Sequence, residues 1–163
     1  MRYDHNPMTV EEITQILNSK FPDKLKSTEV ANHQPAFFVE KDDLLEICKF
    51  VQQSEQLKID FVNCIFAVDR NDSLEMIYVL FSLEKRHKSC LKVKLSRKDA
   101  QIDSVTPVWE GANWFDKETA ELFGIKFIGH PDLGPLLLPE DWDEGYPMLR
   151  DWQGKDFIKL PPK

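Results

Sequence analysis

Three runs decide the fold: Ile59–Val68 (IDFVNCIFAV), Leu74–Leu83 (LEMIYVLFSL) and Leu91–Leu95 (LKVKL). The first two are rich in β-branched or aromatic residues and bounded by polar ones, and the third alternates apolar and charged residues, both signatures of strands. The links Asp69-Arg70-Asn71-Asp72 and Glu84–Ser89 are short. Parallel neighbours need a longer crossover, so these links predict an antiparallel meander. In the last run Leu91, Val93 and Leu95 alternate with Lys92 and Lys94, which predicts one dry and one wet face. Leu74–Leu83 is apolar at nearly every position, as in a central strand covered on both sides.

Upstream, Thr9-Val-Glu-Glu12 reads as a capping box, followed by Val10, Ile13, Leu17 and Phe21 at helical spacing. Ser27–Val30 and Ala36–Val39 read as two short edge strands around a turn at Asn32–Pro35. Asp42 and Asp43 offer N-caps to a second helix whose apolar stripe is Leu44, Ile47, Cys48, Val51 and Leu57. Downstream, Asn113 offers a cap to a third helix, with Phe115, Thr119, Leu122 and Phe123 on one side and Gly124 as its stop. From Gly129 onward prolines and glycines exclude long helices. The expectation is an α+β fold: a mainly antiparallel sheet of about four to five strands with helices packed on it. Residues 1–125 form the core domain, and 126–163 form an extended tail, rich in Pro and Trp, that docks on a partner and is not a domain of its own.

Composition narrows the function. A chain of 163 residues, 42% hydrophobic, fits one domain with a real core. Its net charge of −7, with acidic and basic residues interspersed, argues against nucleic acid as a partner. The one basic run, Lys85-Arg86-His87-Lys88 with Lys92, Lys94, Arg97 and Lys98, reads first as a solvated sheet face, and second as a surface for an acidic partner. No apolar stretch approaches the roughly 18 to 20 residues of a membrane helix, and the first residues lack the apolar centre of a secretory signal. A cytoplasmic-side location is therefore expected, with any membrane contact made through partners. Cys48, Cys64 and Cys90 are widely spaced, without the Cys-x-x-Cys of a cluster site, and read as core thiols in a reducing compartment. His5, His33, His87 and His130 are too dispersed for a metal site, and no glycine-rich phosphate loop is present among six glycines.

The densest motif runs from Ala112 to Leu133 (ANWFDKETAELFGIKFIGHPDL) and continues through Leu138-Pro-Glu-Asp-Trp142 to Gly145-Tyr-Pro-Met-Leu-Arg-Asp-Trp152. It resembles the C-subunit family of proton-pumping NADH:quinone oxidoreductase, respiratory complex I. That family's pattern is Glu-Arg-Glu-x-x-Asp-Met-Phe-Gly-Ile-x-Phe-x-Gly-His-Pro-Asp-Leu-Arg-Arg, followed by a Leu-Pro-Glu-Asp-Trp-like run. Glu118, Phe123 to Ile125, Phe127, Gly129 to Leu133 and Pro139 to Trp142 match it outright. Asp116, Lys117 and Glu121 stand where the family has Glu, Arg and Asp, so the charge signs persist while the guanidinium fork is lost. Gly134-Pro135 replaces the arginine pair and removes two positive charges.

The resemblance implies a non-catalytic member of the peripheral hydrophilic arm that holds the large quinone-site subunit in place for electron transfer linked to proton translocation. It implies no cofactor in this chain; iron–sulfur clusters, flavin or a NiFe centre belong to partner subunits. The alternative it leaves open is the equivalent member of an energy-converting membrane-bound NiFe hydrogenase or formate hydrogenlyase. The candidate docking residues are Trp114, Glu118, Glu121, Phe123, His130, Asp132, Trp142, Tyr146 and Trp152. Trp109, Trp114, Trp142 and Trp152 crowd the last third of the chain, where there is little local core, and aromatic anchors dominate interfaces. A different class of reading is a free-standing enzyme that uses Glu118, Glu121 and His130 as acid/base groups.

Overall fold

In the chain's computed structural model, residues 7–31, 34–155 and 158 are described. The elements in chain order are α1 (Val10–Lys20), β1 (Leu25–Ala31), β2 (Gln34–Val39), α2 (Leu44–Gln53), β3 (Phe61–Asp69), β4 (Ser73–Phe81), β5 (Lys88–Ser96), β6 (Gln101–Asp103), α3 (Ala112–Phe123) and β7 (Lys126–Ile128). The class is α+β, as expected.

The capping box forms: Glu12 N–H donates to Thr9 Oγ1 at 3.2 Å and Thr9 N–H to Glu12 Oε2 at 2.8 Å, so α1 begins where the sequence places it. Two other caps differ from expectation. Lys41–Asp43 form a short 3-10 turn, and Asp43 makes no side-chain cap bond to α2. Gly111, not Asn113, occupies the N-cap of α3, so the asparagine lies inside the first turn of the helix.

The five-stranded sheet has the order β1-β2-β5-β4-β3. The meander β3-β4-β5 is antiparallel throughout, and β1 pairs antiparallel with β2. The correction is at β2. It is an interior strand, joined in parallel to β5 with Ala36, Phe37 and Phe38 opposite Cys90, Leu91 and Lys92. The chain leaves β2 through α2 and two strands of the meander before β5 returns beside it, a connection long enough for parallel pairing. Asn32 and His33 of the expected turn lie outside the described residues.

One face of the sheet is dry. Phe37, Val39, Ile65, Ala67, Met76, Tyr78, Leu80, Leu91, Val93 and Leu95 meet Ile13 and Leu17 of α1 and Leu44, Ile47, Cys48 and Val51 of α2 in a single buried cluster. The strand parity that gives these positions the dry face puts Lys92 and Lys94 on the other. Trp109 belongs to this core: it is 6% exposed and its indole N–H donates to the Ile59 carbonyl at 3.2 Å. Trp109→Phe keeps an aromatic ring in place but orphans that buried carbonyl and opens a small void. Urea denaturation of the full chain is expected to show a loss of about 2 kcal/mol. An unchanged midpoint would mean that water replaces the indole at no cost.

The small sheet β6-β7 is parallel, with Gln101, Ile102 and Asp103 opposite Lys126, Phe127 and Ile128. Ile125 and Phe127 are buried in the main cluster. The chain beyond residue 125 therefore adds one strand to the core and runs as a strap only after Gly129.

Candidate docking site

The site is built on α3 and on the strap that follows it. Ala112, Asp116 and Thr119 are the buried positions of α3, spaced so that one helical face looks inward. Asp116 is fully buried. Its Oδ2 accepts from Ser104 Oγ at 2.7 Å, and Ser104 Oγ also lies 2.8 Å from Thr106 Oγ1. Asp116 Oδ1 and the buried Tyr78 hydroxyl have no hydrogen-bond partner among the described residues. Burial pushes the Asp116 carboxyl up to about 7, against the opposing Ser104 bond.

Gly124 ends α3 in the left-handed region, with φ 74° and its N–H bonded to Ala120 O at 2.9 Å. Here only glycine fits, for two reasons at once. A Cβ would lie 2.4 Å from the Tyr146 ring, which packs onto the backbone at this point, and a side chain is strained at that φ. Gly124→Ala is expected to expel Tyr146 and to cost about 1–2 kcal/mol. The visible signs would be a lower melting midpoint and faster proteolysis between residues 129 and 155; an unchanged digestion pattern would contradict the packing.

After β7 the chain turns at Gly129, where φ is 75°. Asp132 N–H donates to His130 Nδ1 at 3.0 Å, which makes Nδ1 the acceptor, so the neutral ring carries its proton on Nε2, 3.3 Å from the Asn113 carbonyl. Asp132 bridges onward: Oδ1 accepts from Gly134 N–H at 3.0 Å and Oδ2 from Lys117 Nζ at 2.8 Å. The Lys117 ammonium, helped by the Gly134 amide, holds the Asp132 carboxyl below its usual range. His130 and Asp132 thus fold one turn onto α3.

Glu121 fastens the next segment. Its Oε1 accepts from Leu136 N–H and Leu138 N–H, both at 3.1 Å, and its Oε2 from Leu137 N–H at 2.7 Å. Partial burial pushes its carboxyl up, but the three amides outweigh that and leave it below the usual range. A groove of about 480 Å³ runs between helix and strap, lined by Lys117, Glu121, Leu138, Trp142 and Tyr146 among others.

Beyond it the strap curls on itself. Trp142 and Trp152 stack with centroids 6.1 Å apart, and their indole N–H groups donate to Gly145 O at 2.7 Å and Glu144 O at 2.6 Å. Met148 N–H donates to Leu122 O at 3.1 Å. Asp69, at the end of β3, accepts from Arg150 N–H at 2.9 Å and lies 3.0 Å from Arg97, which also pairs with Asp151.

The expected docking residues fall into separate groups. Glu121, His130 and Asp132 bind backbone and position the strap; Trp142 and Trp152 stack together; Phe123 is half-buried against the core. Trp114, at 67% exposed, projects from α3, and Glu118 lies on an exposed part of the same helix. Burial, and then the nearby Glu118 charge, raise the Cys64 thiol. The carboxylates of Glu121 and Asp132 are occupied by amides and Lys117, and His130 Nδ1 by an amide, so these groups are used for holding chain. Tyr146 covers Gly124 with its ring while remaining 47% exposed, alongside Leu133, Leu137 and Met148 at 44%, 59% and 54%. The Asp69–Arg97–Asp151 clamp was not expected from the sequence: Asp69 sits in a turn-like polar run, and nothing local announces its pairing with Arg97 or the pairing of Arg97 with Asp151, 54 residues further on. Among the described residues, no group of three His, Cys, Asp or Glu side chains is placed to hold a metal ion.

Comparison with known proteins bears on this geometry. The family described as the respiratory-chain NADH dehydrogenase, 30 Kd subunit, matches residues 37–157. The C subunit of NADH-quinone oxidoreductase from Roseiflexus castenholzii is 34% identical over 138 residues, covering 83% of this chain and 79% of that protein. The C subunit of F(420)H(2) dehydrogenase from Methanosarcina mazei is 33% identical, covering 90% of this chain and 94% of that one. The fold resembles a chain in the solved structure of the membrane-bound sulfane sulfur reductase, an archaeal respiratory membrane complex, with a TM-score of 0.75 at 20% identity over 88% of this chain and 85% of that one. It also resembles the trypsin-resistant fragment 1–134 of Nqo5, with a TM-score of 0.64 at 22% identity over 77% of this chain and all of the fragment.

Proposed function

The chain belongs to the family of the respiratory-chain NADH dehydrogenase 30 Kd subunit, and from that membership we propose that it is a structural member of the peripheral arm of a complex I-type NADH:quinone oxidoreductase. In this reading the sheet and its helices are a rigid body, and the strap from Gly129 to Lys155 clamps the large subunit that forms the quinone site. Electron-transfer geometry is then fixed by a chain that carries no electron, while iron–sulfur clusters and flavin sit in neighbouring subunits. Attachment on the cytoplasmic side goes through those neighbours; no helix among the described residues is long and apolar enough to cross a membrane.

The build of the strap supports this reading most strongly. Its backbone is pinned to the core by Glu121, Asp69 and Leu122, while Leu133, Leu137, Tyr146 and Met148 remain exposed. A polar frame that presents apolar side chains to solvent is what an interface core requires. Affinity purification of the tagged chain from solubilised native membranes, followed by mass spectrometry, tests it. The large quinone-site subunit and the iron–sulfur subunits are expected to co-purify in fixed proportion; their repeated absence would sink the proposal.

A second reading keeps the position but changes the donor. Gly134-Pro135 in place of the arginine pair favours it, and the relative named as an F(420)H(2) dehydrogenase subunit is consistent only with a donor other than NADH. A NiFe-type large subunit of an energy-converting hydrogenase would occupy the same place. The same purification separates these readings by whether NADH-binding subunits or a nickel-ligating one accompany the chain.

A further inference from the structure

The face of the sheet opposite α1 and α2 has its own composition. Strand register places its side chains in rows that run across the strands: Phe61, Phe81 and Lys88; then Cys64, Val79, Cys90 and Ala36; then Phe66, Ile77, Lys92 and Phe38; then Val68, Glu75 and Lys94. None of these side chains belongs to the main buried cluster that α1 and α2 complete, and α3 runs beside the outer strand, β3. Phe61 is 44% exposed and Phe66 40%. An apolar patch of this kind is unusual on a free surface and marks contact sites.

Its charge also sets it apart. On a chain of net charge −7 this face carries Lys88, Lys92 and Lys94, with Arg70 at its margin. The one carboxylate in the rows, Glu75, is buried and already held, 3.3 Å from Arg70 and 3.9 Å from Lys92. The acidic groups at its rim include Asp72, 3.6 Å from Lys94, Glu118 near Cys64, and Asp23 and Glu40, which share a hollow with Lys26, Phe38 and Lys94. The ammonium groups of Lys88 and Lys92 lie over the rings of Phe81 and Phe38, at 5.8 Å and 5.6 Å from the centroids, so cation and aromatic surface are presented together.

We propose that this second face is a docking surface for an acidic polypeptide segment with apolar anchors, contributed by another member of the same complex. The segment crosses the strands, seats its apolar side chains between Phe61, Phe66 and Phe38, and sets its carboxylates against Lys88, Lys92 and Lys94. This rests on the chain being part of a complex, but not on where the strap docks. The excess of positive charge over the exposed rings is what selects an acidic partner over a neutral one.

Photo-crosslinking in the assembled complex decides it. The full chain carries p-benzoylphenylalanine in place of Phe66 or, separately, of Trp142, and crosslinked peptides are sequenced. A crosslink from position 66 to an acidic peptide of another subunit is expected, with its yield falling about tenfold when Lys88→Glu and Lys94→Glu are combined. Both lysines are exposed, so this pair leaves the core alone. A crosslink from position 142 without one from 66 overturns this inference and leaves the strap reading intact. Crosslinking at 66 to a second copy of this chain, or a yield indifferent to both lysines, also overturns it.

Discussion

At pH 8, Asp116→Asn is expected to unfold only at higher urea, with a gain of up to about 4 kcal/mol that disappears near pH 4. The folded chain holds the Asp116 proton up to about 7, because ionising would place a charge with no cationic partner among the described residues in a fully buried site, whereas the ordinary value for aspartate is 3.8. Between those two values the folded state binds more protons than the unfolded one. Stability therefore falls as pH rises through this window and levels off above it. Asparagine removes the titration. It also supplies amide donors where the carboxylate has only acceptors, close to the Tyr78 hydroxyl, which has no partner among the described residues.

His87 works in the opposite direction. Burial lowers its imidazole, so its contribution is present above the usual histidine range and is lost as pH falls through and below it. In the wild type the two groups thus oppose each other over the same mildly acidic range, and Asp116→Asn should leave stability rising with pH through the histidine range, without the opposing decline. An identical pH dependence of stability in the wild type and Asp116→Asn below about pH 7 would assign that dependence to other groups.

Glu121→Ala is expected to release the strap. Three backbone amides lose a charged acceptor in one substitution, a loss of about 3 kcal/mol after allowance for partial exposure, or on the order of a hundredfold in the fraction of docked strap. Hydrogen exchange at Leu136, Leu137 and Leu138 should accelerate by that factor, while the amides of β4 and β5 stay protected. Binding to the large subunit should weaken in parallel. Glu121→Gln, which keeps a neutral acceptor, should fall between. Unchanged exchange at the three leucines would show that the strap is held by Met148, Arg150 and the stacked tryptophans alone.

The meander was legible because alternation and short polar links are local signals, and β3, β4 and β5 follow them directly. The parallel union of β2 with β5 was not legible: Ala36–Val39 has the length and composition of an edge strand, and only the return of β5 beside it makes it interior. Gly124 announced the helix end, but the Tyr146 ring it must accommodate comes from a residue well apart in sequence. Trp109 read as part of an interface cluster and is core, because Ile59 offers it a buried carbonyl that no local pattern reveals. Asp116 stood in the motif only as a residue that keeps the sign of a family charge, yet it lies at the inward-facing spacing of Ala112 and Thr119. In the strap the motif marked residues that do shape it, and their tethering role emerges only when Glu121 and Asp69 are seen to receive main-chain amides.

Whether the outward face of the strap clamps the large subunit is tested most directly by a density map of the purified complex. Leu133, Leu137, Tyr146 and Met148 are expected to be covered by the large subunit, with the Glu121 and Asp69 tethers intact. A strap left in solvent, or seated on some other chain, would contradict the clamp.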